Sequence, residues 1–286
     1  MKLSKEKIFP IIISALKEDL GPGDVTSQVI FEKDASLLAH ITAKEECVLA
    51  GMDVARWVFD AVDERIVLTN LSKDGDMVKK DKRILSIKGS AKNILSAERV
   101  VLNFLGHLSG VATITNSFVK EVRGTGAKIF DTRKTMPGLR ELEKYAVNVG
   151  GGSSHRMGLY DGIMIKDNHL AGLRFQAKSL KLQNIKDSVM KFKSRGYKNI
   201  EVEVENLAEF KEALESGADS IMLDNMLPEN IKKAVKLKKG SSVILEASGG
   251  ISLENVKKIA RTGVDRISVG KLTHSAPSID FSLEIT

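Results

Sequence analysis

The fold is clearest in one short stretch of the chain, Glu215-Ser216-Gly217-Ala218-Asp219-Ser220-Ile221-Met222-Leu223-Asp224. Gly217 is a suitable C-cap for the helical pattern before it, because glycine enters the left-handed conformation at no steric cost. Asp219 then begins a short apolar strand. The same order returns at Arg261-Thr262-Gly263-Val264-Asp265, before a later strand. The two crossovers therefore indicate a repeated helix–turn–strand unit.

Apolar runs typical of buried strands extend this pattern toward both ends of the chain. They occupy residues 127–130, 162–165, 200–202, 220–223, 243–245 and 267–269. Helical patterns lie between the later runs, at 206–216, 228–238 and 252–262. Short connections between alternating strands and helices indicate a parallel sheet or an α/β barrel.

The first hundred residues have a different pattern. Residues 5–20 are an amphipathic helical pattern that stops at Gly21-Pro22-Gly23-Asp24. Between about 36 and 90, short β-prone runs alternate with turns around a helical stretch near 52–62, and residues 74–87 have the pattern of a β-hairpin. A long helical pattern begins near residue 96 and leads into the second part of the chain.

The composition is that of an ordinary globular protein. The 286 residues include 44 Lys and Arg against 37 Asp and Glu, a net charge of +7, with 42% hydrophobic residues. This length predicts one large domain or two modest ones. No run approaches the ~20 apolar residues of a membrane helix, and residues 1–7 lack the features of a signal peptide, so we expect a cytoplasmic protein. The single Cys47 excludes an internal disulfide and an all-cysteine metal site.

The positive charge does not require a nucleic-acid partner. Lysines are scattered, and their mild concentrations at 79–83 and 232–239 are typical of solvated faces. Aromatic residues make up only 5% of the chain and do not interleave with the basic ones, which argues against a single-strand binding surface. A small anionic substrate accounts for the charge equally well.

Polar and charged residues follow each of the six predicted strands. In an α/β barrel the carboxyl ends of all strands lie at one face, and active sites are built there. We therefore predict a functional site from the residues after these strands: Asp131-Thr132-Arg133-Lys134, Lys166-Asp167-Asn168-His169, Glu203 with Glu205, Asp224-Asn225, Glu246-Ala247-Ser248-Gly249-Gly250 and Gly270-Lys271.

One part of this predicted site is cationic. Guanidinium groups suit paired carboxylates or phosphates, and a glycine run lets backbone N–H groups approach an anion closely. Taken alone, a histidine here would more often be a core residue, and a glycine run a simple turn. The cationic group consists of Arg133, Lys134, His155, Arg156 and Lys166, with Gly150-Gly151-Gly152 shortly before His155.

The other part suits a phosphorylated sugar. Glu203 and Asp224 offer hard oxygen ligands for Mg²⁺, directly or through water, or acceptors for sugar hydroxyls. Ser248-Gly249-Gly250 before a predicted helix resembles a phosphate site, and Val269-Gly270-Lys271 is a second loop of this type. Solvated strand ends and plain turns are the alternative interpretations. Together the two parts suggest transfer between an acidic acceptor and a phosphorylated sugar.

Several motifs are long enough to be specific to one family. They include Asp131-Thr132-Arg133-Lys134-Thr135-Met136-Pro137-Gly138-Leu139-Arg140, Glu143-Lys144-Tyr145-Ala146-Val147, His155-Arg156 and Ile165-Lys166-Asp167-Asn168-His169. These motifs closely resemble the quinolinate phosphoribosyltransferases, also called nicotinate-nucleotide pyrophosphorylases, and the resemblance covers essentially the whole chain. Ser154 departs from the Asn that the family often has there, and we expect a local insertion within the Lys-rich stretch 171–198.

The resemblance implies a two-domain α/β fold of the type II phosphoribosyltransferases. Residues 1–112, with 272–286 returning to them, would form an open-faced α/β sandwich. Residues 113–271 would form an incomplete, seven-stranded α/β barrel, of which the apolar runs account for six strands.

The resemblance also implies an activity. Phosphoribosyl would pass from 5-phosphoribosyl-1-pyrophosphate to quinolinate with decarboxylation, giving nicotinate mononucleotide, pyrophosphate and CO₂ in de novo NAD biosynthesis. The family is a homodimer, or a hexamer built from dimers, in which Arg99 would enter the site of the neighbouring subunit.

The remaining roles are carried over position by position. Lys134, Lys166, Glu203 and Asp224 would be the catalytic group. Arg133, His155, Arg156 and Lys166 would hold the two quinolinate carboxylates, Lys134 and Lys166 would face the pyrophosphate, Glu203 and Asp224 would engage ribose and Mg²⁺, and Ser248, Gly249, Gly250, Val269 and Gly270 would hold the 5-phosphate.

Two alternatives remain open. A paralogous group of the same fold, the ModD type associated with molybdenum transport, shares part of these motifs with another acceptor. We expect that group to lose Lys-Asp-Asn-His, which is intact here at 166–169. A non-catalytic polyanion-binding protein would explain the net charge, but it does not predict acids at Glu203 and Asp224 beside the cationic group.

Overall fold

The computed structural model describes residues 1–32, 35–176 and 185–286. The insertion expected within 171–198 therefore lies partly outside the described residues. The chain folds into two compact units. The first unit comprises residues 1–116, 135–151 and 272–286, and the second comprises residues 117–134 and 152–271.

The described residues form eleven helices and twelve strands. The helices are α1 (Lys5–Leu20), α2 (Val25–Ile30), α3 (Met52–Val62), α4 (Ala91–Glu121), α5 (Arg140–Val149), α6 (Asp167–Gln176), α7 (Ile185–Lys193), α8 (Leu207–Ser216), α9 (Pro228–Leu237), α10 (Val256–Ala260) and α11 (Lys271–His274). The strands are β1 (Ser36–Ala43), β2 (Cys47–Val48), β3 (Val67–Asn70), β4 (Met77–Val78), β5 (Arg83–Ser90), β6 (Lys128–Phe130), β7 (Ile163–Ile165), β8 (Ile200–Val204), β9 (Ser220–Asp224), β10 (Ile244–Ser248), β11 (Arg266–Ser268) and β12 (Phe281–Ile285).

The first unit contains a four-stranded antiparallel sheet in the order β12-β1-β5-β3. The predicted helix over 5–20 is confirmed as α1, which buries Ile8, Ile12 and Leu16 on one face and packs on α3. The hairpin predicted over 74–87 is wrong. Its first half, β4, pairs with β2 in a separate two-stranded sheet, and its second half, β5, lies between β1 and β3.

The C-terminal segment returns to this first unit. The amide of Ile279 donates to the carbonyl of Gly106 at 3.0 Å, and β12 pairs antiparallel with β1. A Cβ at Gly110 would lie 2.0 Å from the carbonyl oxygen of Pro277, so α4 and the returning segment are in backbone contact. Small residues on α4 thus allow the C-terminal segment to pass close to the helix and add β12 to the sheet.

The domain bounds inferred from the sequence differ from the two units in two respects. Residues 135–151, placed with the barrel by the resemblance, belong to the first unit. The physical reason is α5, whose buried Glu143 contacts His107 Nε2 at 2.9 Å and whose Tyr145 hydroxyl donates to Asp74 at 2.5 Å. In addition, α4 runs without a break through residue 112, which the resemblance made the domain boundary.

The second unit contains a six-stranded parallel sheet in the order β6-β11-β10-β9-β8-β7. All six strands predicted from the sequence are present. A single parallel bridge joins Phe130 to Ser153, with Ser153 N–H donating to Ile129 at 2.8 Å. This bridge follows β6 in chain order and is a minimal seventh strand. The predicted incomplete barrel is therefore confirmed.

The repeated Gly-x-Asp pattern ties neighbouring strands together at their amino ends. Gly217 caps α8 in the left-handed conformation, with φ 76°. The Asp219 carboxylate accepts the amide of Ile200 at 2.8 Å, and the Asp265 carboxylate accepts the amide of Leu245 at 2.7 Å. Each aspartate therefore satisfies a backbone donor on the adjacent strand, which helps fix the parallel register.

Across the described parts of the chain, every helix is too short or too polar to cross a membrane.

Candidate active site

The register of the second sheet places four of the predicted site residues on one face. Paired residues of parallel strands share a face, and so do residues two apart on one strand. Glu203 pairs with Met222, two residues before Asp224, and Asp224 pairs with Ser248. Lys166 lies two residues after Met164, which pairs with Glu201 on the same face as Glu203. Lys166, Glu203, Asp224 and Ser248 thus converge at the carboxyl edge of the sheet, as predicted.

Lys166 and Glu203 form an ion pair at this edge. The Glu203 side chain is 13% exposed and that of Lys166 is 37% exposed, so the pair is partly removed from water. The Lys166 amide also donates to His169 Nδ1 at 3.0 Å, which orders the start of α6. A lysine held against an acid in this way can exchange that partner for an anionic ligand.

Asn225 connects Asp224 to the glycine loop. It has a positive φ of 51°, which is uncommon for a residue other than glycine. Its amide N–H donates to Ser248 O at 2.9 Å, and its side-chain Nδ2 donates to Asp224 Oδ2 at 2.7 Å. Gly249, with φ 88°, lies so close that an added Cβ would be 2.2 Å from Asn225 Oδ1. Asp224 and the loop Ser248-Gly249-Gly250 therefore form one connected unit.

The helix predicted at 252–262 is shorter than expected, and this changes the phosphate site. The helix begins only at Val256 and contains five residues. Asn255 holds the preceding turn, because its Nδ2 donates to Gly250 O at 2.8 Å and its Oδ1 accepts from Ser252 N at 2.9 Å. The predicted helix N-terminus beside Gly250 is therefore wrong, and an anion here would depend on loop amides and side chains.

The cationic residues of the second unit occupy different depths. Arg133 is half-buried and Lys134 is exposed after β6. Burial lowers the pKa of Arg156, and the charge of nearby Arg133 lowers it further. The Arg156 guanidinium donates to the carbonyl of Gly162 at 3.3 Å, and His155 and Arg156 both line a cavity of about 420 Å³ near the amino ends of the strands.

A buried acid pair lies beneath these residues; sequence reasoning included Glu246 only as a residue after a strand and did not single out Glu201. Glu201 and Glu246 are 5% and 0% exposed, and their carboxylates lie 3.2 and 3.4 Å from His155 Nε2. Burial of the ring lowers the pKa of His155, and the two carboxylates raise it. Burial also raises the pKa of Glu201. The sequence feature that could have indicated a buried acid is a single acidic residue inside an apolar run, as in Ile200-Glu201-Val202.

Two predicted residues differ in position from the rest. Arg99 is exposed on α4 in the first unit, where it lines a cavity of about 430 Å³ with Asn103 and His107. The Val269 side chain is 1% exposed in the core, and its amide donates to Phe130 O. Both the side chain and the amide of Val269 are therefore engaged within the protein, which does not support its predicted role in holding the 5-phosphate.

The donor set at the carboxyl edge fits a hard divalent cation. Glu203 and Asp224 supply carboxylate oxygens from neighbouring strands on the same face, and oxygen ligands are those that Mg²⁺ prefers. The cluster His155, Glu201 and Glu246 also brings three potential ligand atoms within 4.8 Å of one another. An imidazole in contact with two acids, one of which bonds Ser268, matches an internal hydrogen-bonded cluster better than an Mg²⁺ site.

The fold is that of a type II phosphoribosyltransferase. Two family models match the chain, "Quinolinate phosphoribosyl transferase, N-terminal domain" over residues 24–109 and "Quinolinate phosphoribosyl transferase, C-terminal domain" over residues 111–284. The chain therefore belongs to the quinolinate phosphoribosyltransferase family.

Similar proteins of this family cover nearly the whole chain. A protein of Bacillus subtilis (strain 168) named "Probable nicotinate-nucleotide pyrophosphorylase [carboxylating]" is 45% identical over 94% of this chain and 90% of its own length. A protein of the same name from Methanocaldococcus jannaschii is 40% identical over 98% of both chains. The solved nicotinate-nucleotide pyrophosphorylase of Francisella tularensis has a TM-score of 0.91 and 40% identity, and the match covers 100% of this chain and 98% of that one.

Proposed function

We propose that this protein transfers the phosphoribosyl group of 5-phosphoribosyl-1-pyrophosphate to quinolinate. The products are nicotinate mononucleotide, pyrophosphate and CO₂. The observation that carries the proposal is the convergence of Lys166, Glu203, Asp224 and Ser248 on one face at the carboxyl edge of the parallel sheet. A lysine, two acids and a glycine loop at one edge suit a substrate with two phosphate groups joined by a sugar.

Arg133, Arg156 and Lys166 are proposed to hold the acceptor. Quinolinate is a dianion with adjacent carboxylates, and planar guanidinium groups match such pairs bidentately. Burial lowers the pKa of Arg156 most, and the like charge of nearby Arg133 lowers it further. A dianionic ligand would offset the charges of both guanidinium groups, which favours quinolinate over a pyridine with one carboxylate.

Glu203 and Asp224 are proposed to stabilise the ribosyl transition state. As the bond from C1 to the pyrophosphate oxygen breaks, positive charge develops on the ribose, and fixed carboxylates nearby stabilise it. When bound at these acids, Mg²⁺ would neutralise charge on the pyrophosphate leaving group. Lys134 and Lys166 would do the same from the other side, and Lys166 is available for this once a substrate replaces Glu203 as its partner.

Decarboxylation follows from the chemistry of the new bond. The pyridine nitrogen donates its electron pair to C1 while the C1–oxygen pair leaves with pyrophosphate. The ring nitrogen is then cationic, so the bond to the 2-carboxylate can break and leave its electron pair on C2, releasing CO₂. A proton added at C2 completes nicotinate mononucleotide. The chain's contribution is positioning, since the nitrogen must lie in line with C1.

Arg99 is proposed to act across a dimer. It lies in the first unit, while the other candidate residues lie in the second. An exposed arginine on a long helix is suited to reach the acceptor pocket of a second copy of the chain. A homodimer with two such shared sites, alone or assembled further into a hexamer, is therefore the proposed functional unit.

The direct test is incubation with quinolinate, 5-phosphoribosyl-1-pyrophosphate and Mg²⁺, with detection of nicotinate mononucleotide and labelled CO₂ from the 2-carboxylate. We expect stoichiometric release of both, and a strong loss in Arg133→Ala. Turnover of nicotinate but not of quinolinate would overturn the proposal. Product formation with no requirement for the divalent cation would refute the metal role alone.

A further inference from the structure

The interior of the second unit contains acids that the proposed reaction does not use. Barrel interiors are normally filled by branched apolar side chains, and a buried carboxylate costs free energy unless it is well partnered. Glu246 is fully buried, and its Oε2 has no hydrogen-bond partner among the described residues. The same holds for Oε1 of Glu201. Such a costly arrangement calls for a role that an apolar side chain could not fill.

A continuous series of contacts leads from Glu246 to the acceptor residues. Ser268 Oγ donates to Glu246 Oε1 at 2.5 Å, and the same oxygen lies 3.4 Å from His155 Nε2. On the other side of the ring, the Arg156 amide donates to His155 Nδ1 at 2.8 Å. The His155 amide donates to Asp131 Oδ1, also at 2.8 Å.

These contacts fix both the ring and the backbone that carries the arginine. With Nδ1 accepting from the Arg156 amide, the ring directs Nε2 toward the acids. Rotation of the imidazole would break both contacts and take the Nε2 group away from the two buried carboxylates. The acid pair therefore holds the ring from below, while the ring holds the backbone N–H of Arg156.

We propose that Glu246 is a positioning residue for the acceptor site, acting through His155 on the placement of Arg156. Glu201 assists from the neighbouring side of the ring. Glu246 is the better probe because its carboxylate also accepts from Ser268, and this bond provides a second variant that leaves both acids in place. The role deepens the proposed function and rests on it, because Arg156 is taken to bind quinolinate.

The test is the split between the two substrates in Glu246→Gln. We expect KM for quinolinate to rise at least fivefold while KM for 5-phosphoribosyl-1-pyrophosphate stays within twofold. Ser268→Ala, which removes the anchor of the carboxylate without changing its charge, should shift KM for quinolinate in the same direction by about twofold. This second variant tests the role even if Glu246→Gln folds poorly.

Glu143→Gln is the matched control. Glu143 is also fully buried and its carboxylate also contacts a histidine Nε2, that of His107, but this pair lies in the first unit. We expect this control to lower the urea midpoint and to leave the ratio of the two KM values unchanged. An equal rise of both KM values in Glu246→Gln would overturn the positioning role.

A double-mutant cycle tests the route through the histidine. In a His155→Asn background, adding Glu246→Gln should not change KM for quinolinate further, because the group it acts on is gone. A further rise of the same size would overturn the route. Imidazole ¹⁵N spectra provide a readout that needs no activity: the His155 signals should shift in Glu246→Gln and stay in place in Glu143→Gln. If the His155 signals shift in Glu246→Gln but the wild-type protein has no activity, the contact between Glu246 and His155 is supported and the proposed function is refuted.

Discussion

Gly249→Ala is expected to damage binding of the phosphoribosyl donor selectively. Gly249 has φ 88°, and a Cβ there would lie 2.2 Å from Asn225 Oδ1 and 2.8 Å from Asn225 N. The side-chain oxygen can swing away, but it then gives up the bond from Asn225 Nδ2 to Asp224. The backbone nitrogen cannot swing, so the loop itself must move by roughly 0.6 Å to reach an ordinary contact distance of 3.4 Å.

A control substitution at Gly240 separates the cost of the left-handed backbone from the effect of displacing the loop. Gly240 also has φ 88°, and nothing lies within 4 Å of its added Cβ. The left-handed backbone should cost either alanine variant about 1–2 kcal/mol of unfolding free energy. Only Gly249→Ala adds the displacement of the loop and of Asp224. Because a 1 Å misplacement can cost about 10²-fold in rate, we expect a loss of about tenfold or more in kcat/KM for the donor.

The assay is initial rate against donor concentration at saturating quinolinate, with urea unfolding of both variants. Gly240→Ala should be destabilised with normal kinetics. Gly249→Ala should be destabilised at least as much and should lose donor kcat/KM, while its KM for quinolinate stays within twofold. Normal donor kinetics in Gly249→Ala would show that the loop does not bind the donor. An equal kinetic loss in Gly240→Ala would show that general destabilisation explains the effect.

Three further predictions concern charge, assembly and strand register. Glu203→Gln and Asp224→Asn keep the shape of each side chain but remove the negative charge facing the ribosyl cation. We expect kcat to fall by about 10² in each variant, while the quinolinate affinity measured by calorimetry stays nearly unchanged. Wild-type turnover at saturating Mg²⁺ would refute the role. Arg99→Ala should be folded but nearly inactive, and mixing it with Arg133→Ala should restore up to about a quarter of wild-type activity, since half of the dimers then hold one intact site. No recovery, with subunit exchange confirmed by mass spectrometry, would contradict the shared site. Asp265→Ala should lower the unfolding free energy by about 1–3 kcal/mol because it leaves the buried Leu245 amide unpaired, and an unchanged urea midpoint would contradict this.

The parallel sheet was predicted well because each of its strands is indicated by a short stretch of sequence. Each strand is a short apolar run, and the turn before two of them repeats Gly-x-Asp, so the predicted run 200–202 matches the strand Ile200–Val204. The end of the barrel was predicted less well. The helix expected from 252 begins at Val256, since Asn255 bonds both Gly250 O and Ser252 N and keeps that segment in a turn. Such side-chain competition with helix formation is not visible as periodicity.

Pairing between distant segments was beyond the sequence patterns. Residues 74–87 look like a hairpin because two β-prone runs flank a polar turn, yet Met77 pairs with Val48, and Leu85 pairs with Ile41 and Asn70. For the site, motif resemblance supplied the residues at the carboxyl edge, whereas the buried acids have no motif. Glu246 was taken as a strand-end residue, although β10 continues for two more residues to Ser248.

The inner face of the second sheet explains why site residues and buried acids recur together. In a strand, residues i and i+2 point to the same side and lie about 6–7 Å apart along it. A residue at the carboxyl edge therefore has the residue two positions earlier directly beneath it. The pairs are Glu201 below Glu203, Glu246 below Ser248, Ser268 below Gly270 and Met164 below Lys166. Because three of these four lower residues are polar and two of them contact His155, the same strands that present the upper layer to substrate also build the support for the acceptor residues. A substitution in the lower layer should consequently act on the site without touching substrate, whereas the outward residues between them, such as Val202 and Ala247, should affect stability alone.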